Sequence, residues 1–180
     1  MIERIDVLQE LWDLTDKDGR PNGHTFVRDS REKIPEGMYH TVVEIWVKTS
    51  DGRVLLTRRH PHKFNGYLWE TTCGSALAGE KVREAAVREL SEEVGIFASP
   101  DSLFYLGRVV YNNFITESFC LSLERPLPVR MQAEEVVDAR YVRITELPRY
   151  WNAMTEHARE HFKLYEATLA EALDESKCVL

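Results

Sequence analysis

The sequence has few cysteines, no long apolar run and no excess of positive charge. Cys73, Cys120 and Cys178 are odd in number and lack the spacing of a disulfide framework or a zinc site, which favours a reducing compartment such as the cytoplasm. Nowhere do about 18 apolar residues follow one another, so no membrane-spanning helix is expected. The net charge of −7 excludes a nonspecific grip on nucleic acid polymers or anionic membranes, because both need a basic surface.

Length and composition favour one globular domain over residues 1–180. The chain has 43% hydrophobic and 29% charged residues, an ordinary balance for a folded protein. The first ten residues do not join a positive segment to an apolar one, so no secretory signal is expected. The sequence contains no internal repeat and no low-complexity tract.

Charged residues occur in an unusual order in the stretch GSALAGEKVREAAVRELSEEVGI, residues 74–96. Its apolar residues recur at helical intervals and Gly95 follows them, which predicts a helix over about 81–94. Three and four residues separate Glu89, Glu92 and Glu93 on that helix. At about 100° per residue, Glu89 and Glu93 are expected to point toward the packed side.

Carboxylates near a core repel one another and lose hydration, so they need a compensating cation. Arg88 can neutralise one of them, with Glu80 as the candidate. The remaining negative charge favours a hard cation with oxygen ligands, Mg²⁺ or Mn²⁺. The alternative is a solvated acidic helix in which Glu84 and Arg88 pair across one turn.

The stretch resembles the Nudix box of the Nudix hydrolase family, and every defining position of that pattern is filled. Residues from about 10 to 150 also resemble the branch related to isopentenyl diphosphate isomerase. The resemblance implies a Nudix α/β/α sandwich with a mixed sheet, in the α/β class. It further implies that Glu89, Glu92 and Glu93 bind divalent metal, that Glu92 and Glu93 also act in catalysis, that the Gly74 carbonyl is a further ligand, and that Glu80 and Arg88 form a structural ion pair.

Basic residues precede the box at Arg58, Arg59 and Lys63. They are candidates to clamp phosphate oxygens, arginine by a fork and lysine as a point charge, and the alternative is a solvated strand end. Resemblance to the isomerase branch favours Arg59 and Lys63 as diphosphate contacts. Aromatic residues nearby are candidates to stack on a base, although aromatics beside strands more often belong to the core.

Three further glutamates are catalytic candidates. Glu117 shares the apolar face of a predicted strand, where either a partner arginine or the metal cluster would explain it, and the metal cluster is favoured. Glu134 and Glu135 lie in a long proline-bearing loop, residues 124–136. Some Nudix hydrolases use a glutamate in such a loop as the base that deprotonates water; the alternative is a solvated acidic pair.

The two ends of the chain carry predicted elements of their own. Turn residues between two extended segments predict a hairpin over about 10–30. An apolar stripe predicts an amphipathic helix over about 152–173, which covers either the sheet or a second copy of the chain in a homodimer.

Three functions are weighed. The favoured one is hydrolysis of a diphosphate linkage in a small molecule, such as a nucleoside diphosphate joined to another group. An isomerase acting on isopentenyl diphosphate would use Cys73 and Glu117, but Ser75 replaces a histidine ligand of that family. A sensor that binds a nucleotide without cleaving it is the third, and it usually lacks box glutamates, none of which is missing here.

Overall fold

Nine strands form one mixed sheet in the residues that the computed structural model describes, 10–28 and 30–171. They are β1 (Leu11–Thr15), β2 (Pro21–Val27), β3 (Tyr39–Thr49), β4 (Arg53–Arg59), β5 (Trp69–Glu70), β6 (Thr72–Ser75), β7 (Leu103–Val110), β8 (Phe114–Leu123) and β9 (Val136–Arg143). β3 is central: it pairs with β8 in parallel and with β1, β4 and β6 antiparallel. The sheet is therefore mixed, as predicted.

Two helices cover opposite faces of this sheet, α1 (Val82–Val94) and α2 (Glu156–Ala170). Successive side chains of a strand point to opposite faces. On β3, Val43 and Ile45 pack with Leu90 of α1, whereas Trp46 packs with Phe162 of α2. The predicted α/β/α sandwich is confirmed.

The box residues form α1 because its apolar side chains share one face and a glycine ends it. Leu90 and Val94 are fully buried, and Gly95 adopts a left-handed conformation with φ of 70°. The Gly95 amide caps the helix by donating to the carbonyls of Leu90 and Ser91. The helix begins at Val82, one residue later than predicted, and ends at Val94. Glu89 and Glu93 therefore lie in its last two turns.

The first two strands form the hairpin predicted over about 10–30, and Asp29 lies outside the described residues. Its turn is held by the Asp16 carboxylate, which accepts from two backbone amides. The hairpin also supports the segment that leads into α1. The Ala78 amide donates to the Leu11 carbonyl at 2.8 Å, and the Gly79 amide donates to Asp13 Oδ2 at 2.7 Å.

The C-terminal helix is shorter than the predicted span of about 152–173. Residues Ile144–Ala153 form 3-10 turns, and α2 begins at Glu156 because the Thr155 side chain caps it by accepting from the Ala158 amide. Residues 172 and 173 lie outside the described part. The apolar stripe of α2 packs on the sheet. Among the described residues, no helix is long and apolar enough to cross a membrane.

Candidate functional site

Strand β6 lies against a side chain of helix α1 at Gly74. A Cβ atom at this position would lie 2.0 Å from Cδ of Glu89 and 2.3 Å from both of its carboxylate oxygens. Any side chain would therefore displace the Glu89 carboxylate. Glycine is needed here for space, since its backbone conformation is not left-handed.

Arg88 holds the carboxylates of the box together. Its guanidinium grips Glu80 in a fork, with Nε to Oε1 at 2.8 Å and Nη2 to Oε2 at 3.0 Å. It also donates to Glu89 at 2.9 Å, to Glu92 at 2.9 Å and to the Ser75 carbonyl at 3.0 Å. These carboxylates raise the pKa of Arg88, and the largest effect comes from the hydrogen bonds that Arg88 donates to Glu80. One cation thus ties the loop before α1 to the helix.

Glu93 is a buried carboxylate whose charge is poorly compensated. Its Oε1 lies 3.9 Å from Nζ of Lys63, and its Oε2 has no hydrogen-bond partner within residues 10–28 and 30–171. Burial raises the pKa of Glu93 well above its ordinary value, and the nearby Glu70 carboxylate adds to the effect. Such a carboxylate either binds a proton or requires a cation.

The donor set around Glu93 fits a hard divalent ion. Burial also raises the pKa of Glu89, partly offset by Arg88. Together Glu89, Glu93 and the Gly74 backbone offer only oxygen ligands, which suit Mg²⁺ or Mn²⁺. Glu92 differs from the other two, because its side chain is 49% exposed and lies against Arg88.

Two of the three predicted phosphate contacts lie beside these carboxylates. Arg59 pairs with the buried Glu70, and Lys63 pairs with Glu135. Burial raises the pKa of Glu70, although the Arg59 guanidinium opposes this. Arg58 points to the other face of the sheet, where its guanidinium lies 5.8 Å from the ring centre of Trp69.

The loop over residues 124–135 is fastened to the end of α1. The Arg130 amide donates to the Val94 carbonyl at 2.9 Å, and the Gln132 amide donates to the Glu93 carbonyl at 3.0 Å. Consequently Glu135 reaches Lys63 and the buried carboxylates. Glu134 instead lines a cavity of about 360 Å³ on the outer side of α1, together with Glu92.

The structure gives Glu117 a partner arginine, which was the alternative explanation for it. Arg108 on the neighbouring strand donates from Nε to Glu117 Oε1 at 2.7 Å, and the Tyr105 hydroxyl donates to Oε2 at 2.7 Å. A register shift in β7 between Tyr105 and Gly107 places Arg108 opposite Glu117. Both oxygens of Glu117 are thus already hydrogen-bonded.

Cys73 faces away from Glu117. In the strand pairing Cys73 lies beside Glu44, whereas Gly74 and Glu117 both lie beside Val43. Neighbouring paired residues share a face, so Cys73 belongs to the α2 side and Glu117 to the α1 side. Burial raises the pKa of the Cys73 thiol well above its ordinary value, and Glu70 adds to this.

Sequence reasoning missed Glu70 and Arg108. Glu70 contributes a buried carboxylate to the candidate site from β5, a strand of only two residues. No periodic pattern marks so short a strand. Arg108 lies in a predicted strand, but only the register shift in β7 shows that it faces Glu117.

Replacing Gly74 by alanine is expected to weaken Mn²⁺ binding by about 10–100-fold, the usual cost of disturbing the groups that orient metal ligands. The added Cβ would take the space of the Glu89 carboxylate. Calorimetric titration with Mn²⁺ measures the change. Ser75→Ala, one residue along β6, adds no atoms and serves as the control. An unchanged Mn²⁺ affinity in Gly74→Ala would show that Glu89 takes no part in binding.

An α/β/α sandwich in which one helix presents a buried and a half-buried carboxylate beside paired arginine and lysine side chains has the form of an enzyme that processes phosphoanhydrides. A family model described as NUDIX domain matches residues 38–167. The chain belongs to the Nudix family and is a Nudix pyrophosphohydrolase.

Two relatives and one solved structure are similar to this chain. An uncharacterized Nudix hydrolase of Listeria monocytogenes is 32% identical over 146 residues, covering 77% of this chain and 82% of that protein. An isopentenyl-diphosphate Delta-isomerase of Cereibacter sphaeroides is 29% identical over 153 residues, covering 79% and 85%. The crystal structure of DR0079 from Deinococcus radiodurans superposes with a TM-score of 0.71 at 19% identity, covering 87% of this chain and 99% of that one.

Proposed function

We propose that this protein hydrolyses the diphosphate linkage of a small molecule, such as a nucleoside diphosphate joined to another group, with Mg²⁺ or Mn²⁺ as cofactor. The observation that carries the proposal is the buried carboxylate of Glu93 on α1, whose Oε2 has no partner in the described chain, with the half-buried Glu89 one turn before it. Family membership supplies the reaction class.

Glu89 and Glu93 would hold the metal ion, with the Gly74 carbonyl as a further oxygen ligand. Glu92, at the solvent edge of the same helix, is the proposed outer ligand. When bound, the ion would neutralise charge on the diphosphate and stabilise the negative charge that develops on the leaving phosphate. Arg88 has a supporting role, since it orients Glu89 and Glu92 by donating a hydrogen bond to each of them.

Arg59 and Lys63 are the proposed diphosphate contacts. In the free protein both cations are paired with carboxylates, Arg59 with Glu70 and Lys63 with Glu135. A diphosphate brings new anionic oxygens, so these side chains can exchange one anionic partner for another with little loss of charge compensation. Arg58 points to the other face of the sheet, where its guanidinium packs over the rings of Tyr67 and Trp69, so it is not a diphosphate contact in this proposal.

Glu135 is the proposed base that takes a proton from the attacking water. It lies on the loop fastened to α1 and reaches Lys63, whereas Glu134 faces the outer cavity. The neighbouring pair offers a matched test on one loop. Glu135→Gln is expected to lower kcat by about 100-fold or more, and Glu134→Gln to leave it near the wild-type value. The reverse order would assign the proton transfer to Glu134.

A substrate panel tests the proposed function directly. The panel contains ADP-ribose, a reduced dinucleotide, nucleoside triphosphates and isopentenyl diphosphate, each with Mg²⁺ or Mn²⁺. The products are separated by chromatography. We expect metal-dependent cleavage of at least one diphosphate linkage. Tight binding of a nucleotide without cleavage would instead identify a sensor.

The isomerase is the second candidate, favoured by the relative in Cereibacter sphaeroides. The placement of its two key residues argues against it. Cys73 and Glu117 face opposite sides of the sheet, and Glu117 is engaged by Arg108. Rearrangement of isopentenyl diphosphate without phosphate release would overturn this reasoning.

A further inference from the structure

A second cluster of metal-ligating side chains lies on the α2 face of the sheet. Glu44, in the middle of β3, is completely buried there. Its Oε2 lies 2.7 Å from Nδ1 of His161, and its Oε1 lies 3.7 Å from Nδ1 of His157. Ser118 and Thr71 donate hydroxyl hydrogen bonds to the same carboxylate. A buried carboxylate at the centre of a sheet needs such partners.

Helix α2 delivers the two imidazoles together. His157 and His161 are four residues apart, so they lie one above the other on one face of the helix, and their ring centres are 4.1 Å apart. One ligand atom from each of Glu44, His157 and His161 lies within 4.8 Å of the others. Two histidines one turn apart on a helix and a carboxylate from elsewhere form a common zinc-binding arrangement.

The outer nitrogens of both rings are already occupied. Nε2 of His161 lies 3.0 Å from the Tyr111 hydroxyl, and Nε2 of His157 lies 3.0 Å from the Thr116 hydroxyl. In the metal-free chain Nδ1 of His161 carries the hydrogen that it donates to Glu44 Oε2 at 2.7 Å. With a metal ion bound, the hydrogen of each ring would instead lie on Nε2 and be donated to the hydroxyl oxygen, so that each Nδ1 presents its lone pair to the ion. Metal-bound histidines are usually oriented in this way by a second hydrogen bond.

The cluster is separate from the box carboxylates and has a route to solvent. Glu44 and Trp46 point to the α2 face, whereas Glu89 and Glu93 belong to α1 on the other face. His161 is fully buried, but the His157 side chain is 24% exposed, so its ring forms the edge through which an ion can enter.

We propose that Glu44, His157 and His161 form a second metal site, specific for a borderline transition ion of the Zn²⁺ type, which fastens α2 to the sheet. Two nitrogen ligands distinguish it from the all-oxygen site on α1, which prefers Mg²⁺ or Mn²⁺. Three protein ligands leave a fourth position for water. The proposal does not rest on the hydrolase function, because it concerns other residues on another face.

The test is a titration of the full chain with Zn²⁺ and Co²⁺ after chelator treatment, in excess Mg²⁺. The protein carries Glu89→Gln and Glu93→Gln, so that the α1 site does not contribute. We expect one Zn²⁺ per chain, a rise in Tm on Zn²⁺ addition, and the visible absorption bands of four-coordinate Co²⁺. Adding His157→Gln is expected to remove all three, whereas adding His24→Gln, an exposed histidine on β2, retains them.

A second measurement uses the native ligands and so does not depend on whether a variant folds. Nitrogen NMR of the histidine rings reports which nitrogen carries hydrogen and which binds metal. On Zn²⁺ addition, Nδ1 of His157 and His161 should shift as metal-bound nitrogens, and both Nε2 atoms should carry hydrogen. Unchanged ring signals, or Zn²⁺ binding that survives His157→Gln, would overturn the proposal and leave a hydrogen-bonded network without metal. Failure of hydrolysis in the substrate panel would not affect this outcome.

Discussion

Glu93→Gln is expected to lower the rate of diphosphate hydrolysis by roughly 10²–10⁴-fold, the range for loss of one essential catalytic group. Glutamine keeps the shape of the side chain but loses the charge that would hold the metal. Glu93 is the most deeply buried carboxylate of the box, and one of its oxygens has no partner within the described chain. Steady-state kinetics with Mg²⁺ on the best substrate of the panel measure the change.

The same substitution is expected to stabilise the metal-free protein. The folded-state pKa of Glu93 is raised, so the folded chain binds more protons than the unfolded chain, and stability falls as pH rises through that folded pKa. Glutamine does not ionise, so Glu93→Gln removes this fall in stability. The Tm of the variant should therefore exceed that of wild type by an amount that grows with pH. Each 1 kcal/mol corresponds to roughly 2–4 °C for a domain of this size.

Glu84→Gln is the matched control, since Glu84 lies on the same helix and pairs with Lys81 at the surface. It should change neither the rate nor the metal-free Tm appreciably. A hydrolysis rate in Glu93→Gln equal to that of wild type would remove Glu93 from the site. A lower metal-free Tm in that variant would mean that the Lys63 contact outweighs the cost of burial.

Arg88→Met is expected to lower the free energy of unfolding by about 3 kcal/mol, the lower end for breaking a buried ion pair because the group is partly exposed. Its removal leaves Glu80 and Glu89 without their shared cation. Hydrolysis should fall as well, because Glu89 loses its orientation. Urea unfolding at neutral pH gives the stability, with an unchanged m value as the check on two-state behaviour.

Two further variants separate charge from shape. Arg83→Met, five residues earlier on α1, removes an arginine that donates to the neutral carbonyls of Pro100 and Leu103 and should cost less. Pairing Glu80→Met with Arg88→Met removes both partners of the fork and should recover part of the loss. If Arg83→Met proves as damaging as Arg88→Met, the carboxylates are not what makes Arg88 important.

The sheet and α1 could be predicted because their signals are local. Val, Ile, Tyr and Trp are enriched in β3, apolar residues alternate in β8, and helical spacing followed by Gly95 marks α1 within one residue of its observed start. The Arg88 and Glu80 contact also follows from local order, since both lie in one short segment. The late start of α2 also has a local signal, because Thr155 is a residue type that favours the N-cap position of a helix.

The rest depends on contacts between distant parts of the chain. Whether Glu117 met a metal or an arginine was decided by a register shift in β7. Whether Glu134 or Glu135 faced inward was decided by how the loop docks on α1. The histidines of α2 had a visible spacing, but their partner Glu44 lies 113 or more residues away, and no periodicity connects them.

The fastening of the 124–135 loop to α1 has a consequence for exchanging parts between relatives. The amides of Arg130 and Gln132 donate hydrogen bonds to the carbonyls of Val94 and Glu93, which have no partner within the helix, so these two positions form a fixed joint between loop and helix. A transplanted loop must conserve the spacing from this joint to β9, while its length before Arg130 is free to vary. Diversity among relatives should therefore accumulate on the amino-terminal half of that segment.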